Sequence, residues 1–281
     1  MAEALIKRKH KVLGFDVGKK AKIKGLYKYY SGNVLDQKKT ERAIKEAEAV
    51  VHLAALTSHK DIVGNKFKTL KINFLGTQNI LSFFLKSKKS KKLIYSSTGK
   101  VYGDIKFLPI TENHPLLPLN VLGKSKVITE KLIDFYSNSE KSFIVFRIFN
   151  VFGPGQKQSF LIPTIKEQLK KSGNIVLGDI KAKRDYIFID DVVLAFVLAI
   201  EKKSDSGFSV FNVCSEKSYS AKEIAVLAAK ILNKKLKIKV KKNLIRKDEK
   251  SVEFGSSKKI NKTFGWKPKH DLKKGLEKTI K

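Results

Sequence analysis

Ser142-Phe-Ile-Val-Phe-Arg-Ile-Phe-Asn150 reads as a buried strand, preceded by an amphipathic helix from Lys124 to Tyr136 and by the strand Lys92-Leu-Ile-Tyr-Ser96. The same alternation runs upstream. Asn73 to Lys86 has helical apolar spacing, Val50-Val-His-Leu-Ala-Ala55 is a buried strand, and Glu41 to Ala49 is a helix. Before them, Lys11-Val-Leu-Gly-Phe-Asp16 is a short apolar run closed by an acid. Strands alternating with helices imply an α/β fold, a doubly wound parallel sheet covered by helices on both faces.

Gly153-Pro154-Gly155 punctuates the chain, and beyond it the elements become mixed. Ser159 to Ser172 is helical, Asn174-Ile-Val-Leu177 is a strand, and Asp190 to Lys202 is a long apolar helix. Ser220-Ala-Lys-Glu223 is a capping box opening another helix. Leu236-Lys-Ile-Lys-Val-Lys241 alternates apolar residues with Lys, as in an edge strand guarded by charge. We therefore expect a first unit over residues 1–153, with a returning segment near 186–214. A smaller C-terminal α+β lobe over 154–185 and 215–281 would complete the chain.

The chain has 281 residues, 42% of them hydrophobic and only six of them Pro, so it can bury a core of ordinary size and is not of disordered type. Its longest apolar runs, such as residues 191–200, are too short to span a bilayer, and the first residues do not read as a signal peptide. The single Cys214 excludes an internal disulfide framework and a Cys-based zinc site, and suits a reducing, cytoplasmic setting. His52, His59 and His114 lack metal-ligand spacing, so no metal site is expected.

The net charge of +33 asks for an explanation. Of the 59 basic residues only five are Arg (Arg8, Arg42, Arg147, Arg184, Arg246), which leaves 54 Lys. A base-reading surface needs the planar Arg fork, and here Lys is spread along the whole chain without a basic arm. The charge reads as compositional background, and nucleic acid is not the expected partner.

Asp16 closes the first apolar run. In a dinucleotide-binding unit an acid at that place accepts hydrogen bonds from the adenosine ribose hydroxyls and favours NAD over NADP. Several further segments carry a resemblance when taken together. They are His52-Leu-Ala-Ala55, Asn73-Phe-Leu-Gly-Thr-Gln-Asn79, Ser96-Ser-Thr98 with Val101-Tyr-Gly103, and Pro109-Ile-Thr-Glu112. Arg147-Ile-Phe-Asn-Val-Phe-Gly-Pro-Gly155, Arg184-Asp-Tyr-Ile-Phe-Ile-Asp-Asp191 and Gly265-Trp-Lys-Pro268 with Leu272 and Gly275-Leu276 follow in order. The chain resembles the extended short-chain dehydrogenase/reductase family, and within it the NAD-dependent nucleotide-sugar epimerases and dehydratases, over Met1 to Ile280.

The resemblance implies a Rossmann-type fold with bound NAD and a nucleotide-diphosphate sugar as substrate. It implies cofactor contacts at Asp16, at Asn33 and Val34 beside the adenine, along Leu53, Ala54 and Ala55, and at Asn73 and Lys126. Thr98 would hydrogen-bond the sugar hydroxyl being oxidised, with Lys126 as the second catalytic group. Asn150, Phe160 and Arg184 would meet the substrate, where a guanidinium suits two phosphates better than an ammonium. The competing reading of Arg184 is a structural ion pair with Asp185 or Asp190. A homodimer, or a dimer with a homologue, would form through the helix pair 73–86 and 124–136. Gly99-Lys100 stand where the resembling 4,6-dehydratases carry two acids, which points to epimerisation, as in UDP-hexose 4-epimerases. Arg246-Lys-Asp248 resembles a nucleotide-gripping Arg…Asp pair with tighter spacing.

Two features depart from the family pattern. Pro118-Leu-Asn-Val-Leu122-Gly-Lys-Ser-Lys126 has Leu122 where the family has the tyrosine of Tyr-x-x-x-Lys. That phenol removes the hydroxyl proton as hydride leaves, and Leu has no proton to exchange. The pattern also opens on a strand and a Gly-x-x-Gly-x-x-Gly turn that holds the pyrophosphate, whereas no glycine precedes Gly14. The expectations that follow are a misplaced start, a split gene or a decayed paralogue, with the protein acting as an epimerase, as an inactive pseudoenzyme or partner of the same fold, or as a sugar-nucleotide dehydratase or reductase.

Overall fold

A computed structural model describes residues 1–57, 64–244 and 252–281, so that His59, Arg246 and Asp248 lie outside the described residues. Two units emerge. One comprises Met1–Gly103, Leu116–Arg147 and Val193–Phe211, the other Asp104–Pro115, Ile148–Val192 and Asn212–Lys281.

The first unit opens with α1 (Ala2–Lys7), the parallel pair β1 (Leu13–Asp16) and β2 (Lys28–Ser31), and α2 (Gln37–Lys45). The Asp36 side chain caps α2 by accepting from Lys39 N. Then come β3 (Ala49–His52), α3 (Lys66–Leu70), a π-helical turn over Lys71–Leu75, and α4 (Gly76–Lys86). They are followed by β4 (Lys92–Thr98), α5 (Val121–Phe135) and β5 (Ser142–Ile148). β3, β4 and β5 join β9 (Gly207–Val213) in a sheet of order β3-β4-β5-β9, with β3 and β4 parallel. All seven residues of β5 are buried, as expected of a strand with almost no polar side chain. Phe143 packs edge-on against Phe84 of α4 at 5.3 Å, and Phe146 against Phe196 at 5.1 Å. Phe15 and Val50 lean on the same apolar cluster, although β1 and β2 form a hydrogen-bonded pair of their own. At Gly76 a Cβ would meet Val34 Cγ2 at 2.5 Å, so only glycine lets α4 close on the segment after β2.

The second unit is built around β8 (Lys183–Phe188), flanked by β6 (Asn150–Phe152), β10 (Ser218–Ser220) and β12 (Val252–Glu253). β7 (Asn174–Leu177) pairs in parallel with β11 (Lys237–Val240), whose lysines are exposed. The unit's core joins Phe152, Ile165, Leu169, Ile175, Phe188, Ile224 and Leu276. They come from strands and from α6 (Leu161–Lys171), α8 (Ala221–Ile231) and α10 (Leu272–Ile280). The capping box at Ser220 and Glu223 is formed in both directions. α7 (Ile189–Glu201) starts in this unit and α9 (Lys258–Phe264) ends on Gly265 in the left-handed region.

These boundaries differ from the expected 1–153, 154–185, 186–214 and 215–281. The first break falls at Ile148, because β6 pairs with β8 and so belongs with the second unit. The return to the first unit begins at Val193, because Asp191 is tied down by Trp266 Nε1, Lys269 N and His270 N. Asp104–Pro115 leaves the first unit because the main chain of Ile110 pairs with Phe254 and Ser256, and its carbonyl also takes Asn212 Nδ2.

Some of the lysine excess is architectural. Lys141 Nζ donates to the carbonyl of Phe84 (2.7 Å) in the last turn of α4 and to that of Ser90 (3.0 Å) in the loop beyond it. Lys92 Nζ does the same for Ala199 (2.6 Å) and Lys202 (2.8 Å) at the end of α7, and Lys166 Nζ for Thr279 (3.0 Å) in α10. The last carbonyls of a helix lack intrahelical donors and sit at its negative pole, so an ammonium there is doubly matched. Burial pulls the ammoniums of Lys92 and Lys141 below their ordinary value.

Candidate active site

The end of β4 and the first turns of α5 form a buried polar wall in the first unit. Asn120 caps α5 by accepting from Gly123 N at 2.9 Å. This sets Leu122, Lys126 and Glu130 four residues apart along one side of the helix. Lys126 Nζ donates to Ser96 O at 2.7 Å and lies 4.5 Å from the centre of the Tyr95 ring. Ser97 Oγ donates to Glu130 Oε1, whose other oxygen takes Arg147 Nε (3.0 Å) and Nη2 (2.8 Å) in a bidentate pair. Arg147 Nη1 donates onward to Tyr102 Oη at 3.2 Å. Burial pushes the Lys126 amine down to about 7, against the pull of the Glu130 carboxylate. An amine poised there can hold or release a proton near neutral pH. Leu122, half-buried one turn earlier, offers only its carbonyl, which accepts from Ser125 Oγ at 2.8 Å.

Asn73 sits in the π-helical turn and is almost fully buried. Its amide accepts from Leu56 N (2.8 Å), donates to Leu56 O (3.2 Å) and reaches Ser125 Oγ (3.3 Å). It thereby pins the chain after β3 to the helix that carries Lys126. A π-turn re-aims side chains within a helix, which is how residue 73 can face inward here. Leu53 and Ala54 are exposed and Ala55 half-buried, giving an open ledge at the end of β3. His52 lies beneath it, bonded to Thr77 Oγ1 at 2.9 Å. Burial, with Lys126 nearby, holds the imidazole down to about 3, so it stays neutral.

Asp16 is exposed at the end of β1, and its Oδ1 accepts from Gly18 N at 3.0 Å. Asn33 turns back on its own loop by accepting from Leu35 N. The Val34 side chain belongs to the apolar core, and its carbonyl takes Asn79 Nδ2 at 3.0 Å, so only main-chain atoms of Val34 can face a ligand.

In the second unit Arg184 pairs with Glu253 (Nε to Oε2, 3.7 Å) and donates from Nη1 to Lys183 O. The ion pair with Asp185 or Asp190 is not what forms. Successive strand residues point to opposite faces, and Asp185 turns into the interior. It accepts from Ser215 N and Oγ (2.7 Å each), Glu216 N (3.1 Å) and Gly255 N (3.3 Å), while burial pushes its carboxyl up to about 7. Asp190 instead lies 3.6 Å from Lys278 Nζ. Asn150 Nδ2 donates to Asp185 O at 2.9 Å, and Phe160, partly exposed, stands at the start of α6.

The first unit thus brings Thr98, Lys126 and Asn73 onto neighbouring elements and sets Asp16, Asn33 and the 53–55 ledge along strand ends. The second unit carries Asn150, Phe160 and Arg184. Sequence reasoning missed Glu130; it quoted Ser97, Tyr102 and Arg147 within motif segments but gave them no role, although all three are tied to one buried network around Glu130. The available signal was Glu130 at i+4 from Lys126. Among the described residues no three His, Cys, Asp or Glu side chains gather as metal ligands, and no helix is long and apolar enough to cross a membrane.

Fold and motifs together define an NAD-dependent epimerase/dehydratase-type protein of the extended short-chain dehydrogenase/reductase class. The chain belongs to the GDP-mannose 4,6 dehydratase family, whose model matches residues 1–279. It is 33% identical over 238 residues to the GDP-6-deoxy-D-mannose reductase of Pseudomonas aeruginosa, covering 82% of this chain and 78% of that one. It is 28% identical to the UDP-glucose 4-epimerase of Lactobacillus helveticus, with 95% and 87% covered. Among solved structures, UDP-glucose 4-epimerase from Thermotoga maritima with UDP-glucose superposes with a TM-score of 0.88 at 27% identity, over 99% of this chain and 92% of that one. RMD from Pseudomonas aeruginosa complexed with NADPH superposes with a TM-score of 0.84 at 28% identity, over 96% and 98%.

Proposed function

We propose that the protein binds a nicotinamide dinucleotide on its first unit and a nucleotide-diphosphate sugar through Arg184, Asn150 and Phe160 of its second. On this reading it carries the apparatus of a UDP-hexose 4-epimerase short of one proton carrier. When bound, the nicotinamide would supply the hydride acceptor for the sugar. The residues present fit the adenosine end, because Asp16 offers a carboxylate at a strand end and residues 53–55 leave an open ledge. Thr98 would orient the reacting hydroxyl, and Lys126, anchored on Ser96 O, would hold a positive charge beside it.

The observation that carries this reading is the wall at the end of β4. There Lys126, Asn73 and Ser125 are placed by specific bonds, while the position one turn before Lys126 holds Leu122. Losing a positioned acid–base costs roughly 10²–10⁴-fold in rate. We therefore expect calorimetry to detect binding of dinucleotide and of UDP-sugar, with slow turnover, and Leu122→Tyr to raise turnover by roughly 10²–10⁴-fold. Absence of binding for both ligands would overturn the reading. Equal turnover with and without the Tyr would show that the step does not use this position.

A partner role is favoured by a separate observation. On α5, Phe135 is 80% exposed and Ile128 47%, and Leu75 at the junction with α4 is 40% exposed. Large apolar side chains left open on adjacent helices mark an association surface, and a second copy or a homologue of this chain fits it. Multi-angle light scattering of Phe135→Glu against the parent checks this.

A further inference from the structure

Thr98 lies inside a closed circuit of the first unit. On one side of it Ser97 Oγ donates to Glu130, and on the other the chain passes through a 3₁₀ turn over Gly99–Val101 to Tyr102. Tyr102 Oη accepts from Arg147 Nη1 at 3.2 Å, and its ring lies 5.0 Å from the guanidinium. Arg147 in turn grips Glu130 through Nε and Nη2. The chain before and after Thr98 is therefore tied to one ion pair. The turn is also pressed from the start of α5, where a Cβ at Gly123 would sit 2.4 Å from Lys100 O.

α5 holds the end of β4 at two successive residues. Lys126 takes the carbonyl of Ser96, and Glu130, one turn later, takes the hydroxyl of Ser97. Lys126, Glu130 and Arg147 are all buried, at 4%, 2% and 5% exposure. Apolar residues of similar volume often serve stability as well as a buried ion pair does, so stability alone does not account for this one. With its oxygens committed to Ser97 and Arg147, Glu130 leaves Lys126 bonded to Ser96 O and stacked on the Tyr95 ring. His52 on β3 stays neutral and burial keeps the Tyr95 phenol protonated, so Glu130 is the carboxylate whose field reaches the amine.

We infer that Glu130 is a positioning residue, the carboxylate that fixes the chain on both sides of Thr98 and faces Lys126 with a negative charge. This rests on the roles given to Thr98 and Lys126 above and deepens them, since Glu130 acts through Ser97, Arg147 and Lys126 rather than on a ligand. Displacing a positioned group by about 1 Å costs up to roughly 10²-fold in rate. Losing a unit charge one helical turn away changes the proton affinity of a buried amine by about tenfold.

Two variants separate the geometry from the charge. Glu130→Gln/Arg147→Met removes both charges together and so leaves no unpaired ion in the fold, while Ser97→Ala removes one arm of the clamp and no charge. With Leu122→Tyr in place, turnover of UDP-glucose in the presence of NAD should fall about tenfold or more in kcat for both variants, with KM changed by less than about threefold. With Leu122 intact, carbon-13 NMR of the lysine-labelled chain follows the Lys126 titration, its signal assigned by Lys126→Met. There the charge-free variant should hold the Lys126 proton about tenfold more weakly, and Ser97→Ala should match the parent. A kcat untouched in either variant, or a Lys126 titration that the loss of both charges does not move, overturns the inference and leaves the epimerase reading standing. A Leu122→Tyr protein that binds neither UDP-glucose nor NAD, or binds them without turnover, overturns that reading and the inference with it.

Discussion

β5 and β1 are both short strands of the first unit, both packed toward one apolar cluster, yet they hold the molecule together very differently. Every residue of β5 is buried, its aromatics interlock with α4 and α7, and its Arg147 is matched by Glu130. No residue of β1 is fully buried, its only ladder partner among the described residues is β2, and Asp16 stands in solvent. Burial of apolar surface is the dominant stabilising contribution, so the unit's cohesion is concentrated around β4 and β5. The polar wall with Lys126 is built on this firm part. The proposed adenosine end, by contrast, is built on the weakly buried pair, where open backbone and exposed charge are cheap to present.

The comparison can be broken most directly at Arg147. Removing one partner of a buried ion pair leaves an uncompensated charge, typically at about 3–5 kcal/mol. We expect Arg147→Met to lower stability by about that amount and to weaken the packing of Tyr102. Urea unfolding measures the first effect, and near-ultraviolet circular dichroism the second. A loss under about 1 kcal/mol would mean that Glu130 is solvated and the wall is not dry.

A pair of truncations sharpens the contrast further. Phe143→Ala, in the fully buried strand, should cost about 3–5 kcal/mol through lost burial and cavity formation. Phe15→Ala, only partly buried on β1, should cost about 1 kcal/mol, since less apolar area is withdrawn from water. Comparable losses from the two would dissolve the distinction drawn between the strands.

Periodicity exposes the strand–helix alternation because buried strands and amphipathic helices leave local signatures in composition. The capping box at Ser220 and the apolar run of β5 are local in the same sense, as is Leu122 against its motif. What is not legible depends on partners distant in the chain. Glu130 and Arg147 are 17 positions apart, Arg184 and Glu253 are 69, and neither pairing leaves a pattern in sequence. The unit boundary moved to Ile148 because the pairing of β6 with β8, not a Gly-Pro-Gly break, decides which core a segment joins. The lysines mislead most. A count of 54 reads as uniform background, yet Lys92, Lys141 and Lys166 close helix ends, and Lys126 is buried in the wall.

Lys126 offers the finest probe, because its contribution changes sign with pH. Burial lowers the folded-state value to about 7 from an ordinary 10.5. Between these values the folded protein binds fewer protons than the unfolded chain, so stability rises with pH across that window and the charging penalty is complete below it. Replacing the side chain by Met removes the penalty, but it also removes the bond to Ser96 O and the contact with the Tyr95 ring. Near pH 7 these terms oppose one another, and Lys126→Met should be neutral to stabilising by about 1 kcal/mol. Toward pH 10 the parent amine is neutral in the fold and keeps its bond, so the substitution should become destabilising by about 1 kcal/mol. Urea midpoints of the two proteins at pH 7, 8.5 and 10 measure the crossing. A difference that stays constant over the range would place the ammonium in contact with water, and the wall at β4 would then be as open as the end of β1.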